Sequence, residues 1–60
     1  MPPHVHVSKS GKKAKIELGK ENGIPVLIET WMNKKDSRFA WELVKDNNNF
    51  LLGEWKKYHG

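Results

Sequence analysis

His4 and His6 stand two residues apart in the opening run Met1-Pro2-Pro3-His4-Val5-His6-Val7. On an extended chain, alternate residues share a face, with their Cα atoms about 7 Å apart. Two imidazoles so placed can share one divalent ion, and zinc or nickel would want a third and a fourth ligand. Glu17 is the candidate third ligand, and His59 is another if the tail folds back. An imidazole can also serve as the general base of a small ribonuclease, with Lys15 beside His6 to stabilise charge on phosphorus. Two histidines and one carboxylate are an incomplete set for either task. The plainer reading is a solvated pair, with His4 against Glu17.

A second chemistry lies in the lysines. Lys9, Lys12, Lys13 and Lys15 crowd one turn, and Trp31 follows on the next extended segment. Cations hold phosphates while an exposed ring stacks single-stranded bases, so this set is a candidate nucleic-acid surface. Glu17 and Glu29 oppose it, since both repel phosphate. The net charge is +4, from 11 Lys and Arg against 7 Asp and Glu. That favours an acidic partner, either nucleic acid or protein, although small domains often carry such a charge for solubility alone.

The totals bound what can hold these groups. Sixty residues make a single small domain, 1–60, with hydrophobic content of 37%. A chain this short buries only about 60% of its unfolded surface, so self-association or a partner would help it. There is no cysteine, hence no disulfide and no thiolate metal site. No apolar run approaches the roughly 18 residues that span a bilayer, and no signal-peptide core is present. The expectation is a cytoplasmic protein without membrane contact.

Period-two alternation in the first half predicts strands. His4 to Lys9 and Lys12 to Leu18 flank Ser10-Gly11, which suits a two-residue hairpin loop. That register sets Val7 against Ala14, Val5 against Ile16, His6 against Lys15 and His4 against Glu17. It separates an apolar face from a polar one, whereas a slip of one residue would mix them. A third strand is expected from Ile24 to about Met32, after a loop whose turn signal is Asn22-Gly23. Pairing Leu18 with Ile24 would put Ile16 opposite Val26 and Ala14 opposite Ile28. Leu27, Glu29 and Trp31 would then share the polar face with the histidines, and Trp41 is a candidate neighbour.

The second half predicts two helices. Asp36 is the expected N-cap of the first, after a solvated Lys34-Lys35, with a stripe of Phe39, Ala40, Leu43 and Val44. Asn47, Asn48 and Asn49 interrupt, and Asn48 or Asn49 can cap the second helix, with Leu51, Leu52, Trp55 and Tyr58 on its apolar side. Gly53 is expected where backbone approaches the sheet. The architecture predicted is α+β, a three-stranded antiparallel meander packed on one face by two helices, βββαα. Its expected core is Ile16, Val26, Ile28, Phe39, Leu43, Leu51 and Trp55.

The order of these elements, opening on Pro2-Pro3-His4-Val5-His6-Val7 and closing on Glu54-Trp55-Lys56-Lys57-Tyr58, resembles a small uncharacterised bacterial family. That family, a domain of unknown function, is marked by P-P-H-x-H-V and a helical E-x-W-x-x-[YF]. The resemblance covers nearly the whole chain. It implies residues ahead of the prolines, often another histidine or an acid, and any ligand there lies outside this sequence. The segment Lys9 to Lys13 is more basic than in many relatives. The family has no established activity; its genes often lie beside another small gene, which implies a toxin–antitoxin-like pair. The histidine-triad nucleotide hydrolases do not fit, because Ser8 stands at the third alternate position and the chain is about half their length.

The resulting expectation is a binding module rather than an enzyme, working through a protein partner or as a homodimer. The alternatives are a nucleic-acid surface at Lys9, Lys12, Lys13, Lys15 and Trp31, and a divalent metal or weak nuclease site at His4, His6 and Glu17. No cofactor beyond such a metal is expected.

Overall fold

Ser10 and Gly11 reverse the chain in two residues, both with positive φ, 51° and 77°. This is the type I′ turn, whose twist matches that of the strands it joins. The turn links β1 (His4–Lys9) to β2 (Lys12–Glu17) in the computed structural model, which describes residues 2–59. The register is the one the apolar pattern demands: Val7 faces Ala14, Val5 faces Ile16, His6 faces Lys15 and His4 faces Glu17. Ala14 and Ile16 are fully buried, and Val5 and Val7 pack against them.

The third strand is shorter and shifted relative to expectation. β3 (Val26–Thr30) pairs antiparallel with β2, giving the sheet order β1-β2-β3. Glu17 faces Val26, Ile16 faces Leu27, Lys15 faces Glu29 and Ala14 faces Thr30. The partner of β2 jumps from Leu27 to Glu29, so Ile28 is the extra residue of a β-bulge. A one-residue shift turns side chains over. Val26 and Ile28, expected inside, are therefore half exposed, and Leu27 faces the helix side opposite Ile16.

The loop before β3 explains the shift. Gly19 passes so near the returning chain that a Cβ there would lie 2.6 Å from the Ile24 nitrogen. The buried Asn48 side chain holds this loop from the far side. Its Oδ1 accepts from the Gly19 N–H (2.8 Å), and its Nδ2 donates to the Gly19 and Lys20 carbonyls (3.1 and 3.3 Å). Asn49 adds a second tie: its Oδ1 accepts from the Asn22 N–H (2.8 Å), and its Nδ2 donates to Asn22 Oδ1 (2.9 Å). The Trp41 indole N–H then donates to the Pro25 carbonyl (2.8 Å), fixing where β3 starts. Trp41 therefore packs on the helix side rather than joining the histidine face.

Helix α1 (Lys34–Asp46) begins one turn before the expected site. Asn33, not Asp36, is its N-cap; the Asn33 side chain accepts from the Asp36 N–H. Asp36 instead lies in the first turn, where its charge opposes the helix dipole favourably. The stripe that meets the sheet is Ser37, Ala40 and Val44. These residues are small, so helix and sheet approach closely, and the Ser37 hydroxyl is satisfied by Thr30 and Met32. Phe39 and Leu43, expected in the core, lie on the neighbouring arc and are exposed.

Helix α2 (Asn48–His59) follows directly, with Leu52 buried and Leu51 and Trp55 partly so. Asn48 is the loop anchor rather than its cap, and Tyr58 is exposed. The sum is an α+β domain, βββαα, whose core is Ala14, Ile16, Leu18, Met32, Ala40, Val44 and Leu52.

Gly53 meets nothing within 4 Å of a Cβ built on it, so no close approach requires a glycine there. Gly53→Ala should raise stability by about 1 kcal/mol. A thermal melt followed by circular dichroism should shift up by roughly 4–8 °C. A lower melting temperature would show that the missing Cβ is used.

Candidate functional site

The sheet face away from the helices carries most of the residues that the sequence marks for chemistry. His4 and His6 from β1 stand beside Lys15 and Glu17 of β2, as their pairing requires. The two imidazoles meet edge to face with centroids 5.4 Å apart, and His4 Nδ1 lies 3.2 Å from the Pro2 carbonyl. Pro2, His4, Lys15, Glu17 and Ile28 line a depression of about 140 Å³. Although His4, His6 and Glu17 share this face, no group of three His, Asp or Glu side chains is disposed to hold a metal ion among the described residues. His59 lies elsewhere, stacked on Trp55 with centroids 4.6 Å apart.

The lysines are divided. Lys13 and Lys15 point to the histidine face, while Lys9 and Lys12, paired across the turn, belong to the other. Lys9 Nζ is bound to Asp36 Oδ1 at 2.9 Å and also lies 5.9 Å from the Phe39 ring centre. Trp31 donates its backbone N–H to the Lys13 carbonyl and is 60% exposed. With Gly11, Lys12 and Lys13 it lines a shallow hollow of about 320 Å³. Glu29 faces Lys15 directly and Glu17 lies two residues further along β2, so this basic face is interrupted by acid.

A third surface is formed by residues whose helical spacing predicts a place in the core. Phe39 is 61% exposed and Leu43 47%. They stand over Val7 of β1, and with Met32, Ala40 and Lys9 they line a groove of about 170 Å³. Val5, half buried, continues the apolar strip along the same strand. The signal for it was in the sequence: Phe39/Leu43 and Ala40/Val44 are two adjacent i,i+4 rows, and one flat sheet covers only one row fully.

No helix among the described residues is long and apolar enough to cross a membrane. No curated protein and no solved structure matches the chain. One family does match, over residues 1–56, and it carries the description Domain of unknown function (DUF4160). A match across nearly the whole chain, from Pro2-Pro3 through Trp55, places this βββαα protein in the DUF4160 family.

Proposed function

We propose that the protein is a small binding module that acts by holding a protein partner, as one component of a toxin–antitoxin-like pair. The observation that carries this reading is the uncovered apolar strip of Phe39 and Leu43 over Val7. Large apolar side chains clustered at the surface of a small domain mark an interaction site more often than chance exposure. Here they also flank an edge strand, the part of a sheet most ready to accept another chain. The resemblance set out above implies a second small gene beside this one, which fits a partner made alongside. The net charge of +4 favours an acidic one.

A nucleic-acid role is the second reading, favoured by Trp31 exposed beside Lys12 and Lys13. It is weakened by the engagement of Lys9 with Asp36 and by Glu17 and Glu29 among the remaining lysines. Photo-crosslinking tests both. A benzoylphenylalanine in place of Phe39 should trap one polypeptide in cells that make the protein, and the product should resist nuclease. Leu43→Glu in the same chain should reduce that product about 30-fold, as loss of a central interface residue does. The same probe in place of Trp31 should give little. A nuclease-sensitive product at Trp31, with salt-sensitive binding of labelled RNA or DNA lost in Lys12→Glu/Lys13→Glu, would replace the partner reading with the nucleic-acid one.

A further inference from the structure

We infer that the outer edge of β1 is a strand-addition site, taking an extended segment of an acidic partner with apolar residues at alternate positions; this rests on the partner reading above.

The backbone phase comes first. A two-residue type I′ turn makes the flanking pair, Lys9 and Lys12, a hydrogen-bonded pair. Alternation then gives the same status to Val7/Ala14 and Val5/Ile16. The far end agrees, since the Leu18 N–H donates to the Pro3 carbonyl at 2.9 Å. Pro3, Val5, Val7 and Lys9 therefore direct their backbone polar groups to β2. His4, His6 and Ser8 direct theirs outward, away from the sheet. Among the described residues no turn, cap or side-chain hydrogen bond reaches them.

The two edges of this sheet are not equivalent. Each edge strand follows a proline directly, Pro3 or Pro25, but β3 has only five residues and carries the Ile28 bulge. Short length and a bulge are among the devices that discourage strand pairing at an edge. β1 has six residues in regular register and no such device between His4 and Lys9. An open row of donors and acceptors accepts only another extended backbone, which decides the occupant's conformation.

Side-chain pockets decide its sequence character. Residues of an added strand opposite Val5 and Val7 point to the helix side, where the groove of Val7, Met32, Phe39 and Leu43 receives them. Those positions call for apolar side chains. The alternate positions, opposite His6 and Ser8, point to the other face. They stand about two strand spacings, roughly 9.5 Å, from Lys15 and Lys13 of β2. A lysine and a glutamate reaching toward each other span that distance. Acidic residues there meet Lys13, whose charge no acid among the described residues opposes across the sheet, and Lys15 beside Glu29, and they match the +4 charge of the whole chain. A second copy of this chain would bring the same positive charge to the edge instead.

The test uses the full chain and a defined probe, a capped nonapeptide of alternating glutamate and valine, followed by amide NMR. The expected result is shifts at His4, His6 and Ser8, with amide exchange at His6 and Ser8 slowed at least about tenfold on saturation. Ser8→Pro should abolish binding and leave the fold intact, because the Ser8 N–H faces outward and no ladder bond is lost. Binding that survives Ser8→Pro, or no shift at millimolar peptide, overturns strand addition. Shifts confined to Phe39 and Leu43, with exchange at His6 and Ser8 unchanged, also overturn it while leaving the partner reading in place. A concentration-dependent dimer in sedimentation, lost in Ser8→Pro, would assign the edge to a second copy and overturn the acidic partner. The crosslink at Phe39 decides the partner reading independently of all of these.

Discussion

Asn48→Ala should lower the stability of the domain by about 3–5 kcal/mol, enough to unfold most of it. Asn48 is 3% exposed, and its side chain makes three hydrogen bonds to the Gly19–Lys20 backbone. Alanine removes all three and leaves the Gly19 N–H and carbonyl unpartnered in a part-buried site. Each such orphan costs roughly 1–3 kcal/mol. The loop has no alternative path, because Gly19 already runs against the backbone of Ile24. Asn48→Asp is the informative companion. It keeps the acceptor for the Gly19 N–H, but it loses both donors and turns an oxygen toward two carbonyls. It should therefore be no better than alanine. Urea denaturation checks both variants; a midpoint unchanged from the parent would show that the loop does not depend on this anchor.

The same contact separates what the sequence encodes locally from what it encodes at a distance. The hairpin was legible because a short turn and a two-residue period fix register locally; Ser10-Gly11 and the valines are enough. The placement of β3 was not. Its register depends on Asn48 and Asn49 reaching across 27 to 29 residues to Gly19, Lys20 and Asn22. No local pattern announces such a link, and an asparagine before a helix reads first as a cap. Local alternation therefore points Val26 and Ile28 inward, whereas the fold leaves both half exposed.

The candidate site followed the same division. That His4, His6, Lys15 and Glu17 share a face was readable from pairing alone. That Lys9 belongs to Asp36 was not, since the partner sits on a helix 27 residues away. The groove under Phe39 and Leu43 was hidden by a sound general rule, that large apolar residues on a helix face the core. Here Ser37, Ala40 and Val44 take the contact, because a two-layer domain this thin packs best where its side chains are smallest.

That inversion yields the last prediction. Ile16→Ala should cost about 2–5 kcal/mol, because the side chain is fully buried at the centre of the sheet and its removal leaves a cavity. Leu43→Ala, the same class of truncation at a site 47% exposed, should cost about 1 kcal/mol or less, and Phe39→Ala less still. The comparison reads the division of labour directly: residues that stabilise the fold lie under Ser37, Ala40 and Val44, while Phe39 and Leu43 are free to meet another chain. Urea midpoints of the three variants against the parent supply the measurement. A Leu43→Ala variant as unstable as Ile16→Ala would place Leu43 in the core in solution. The uncovered strip on which the binding reading depends would then not exist.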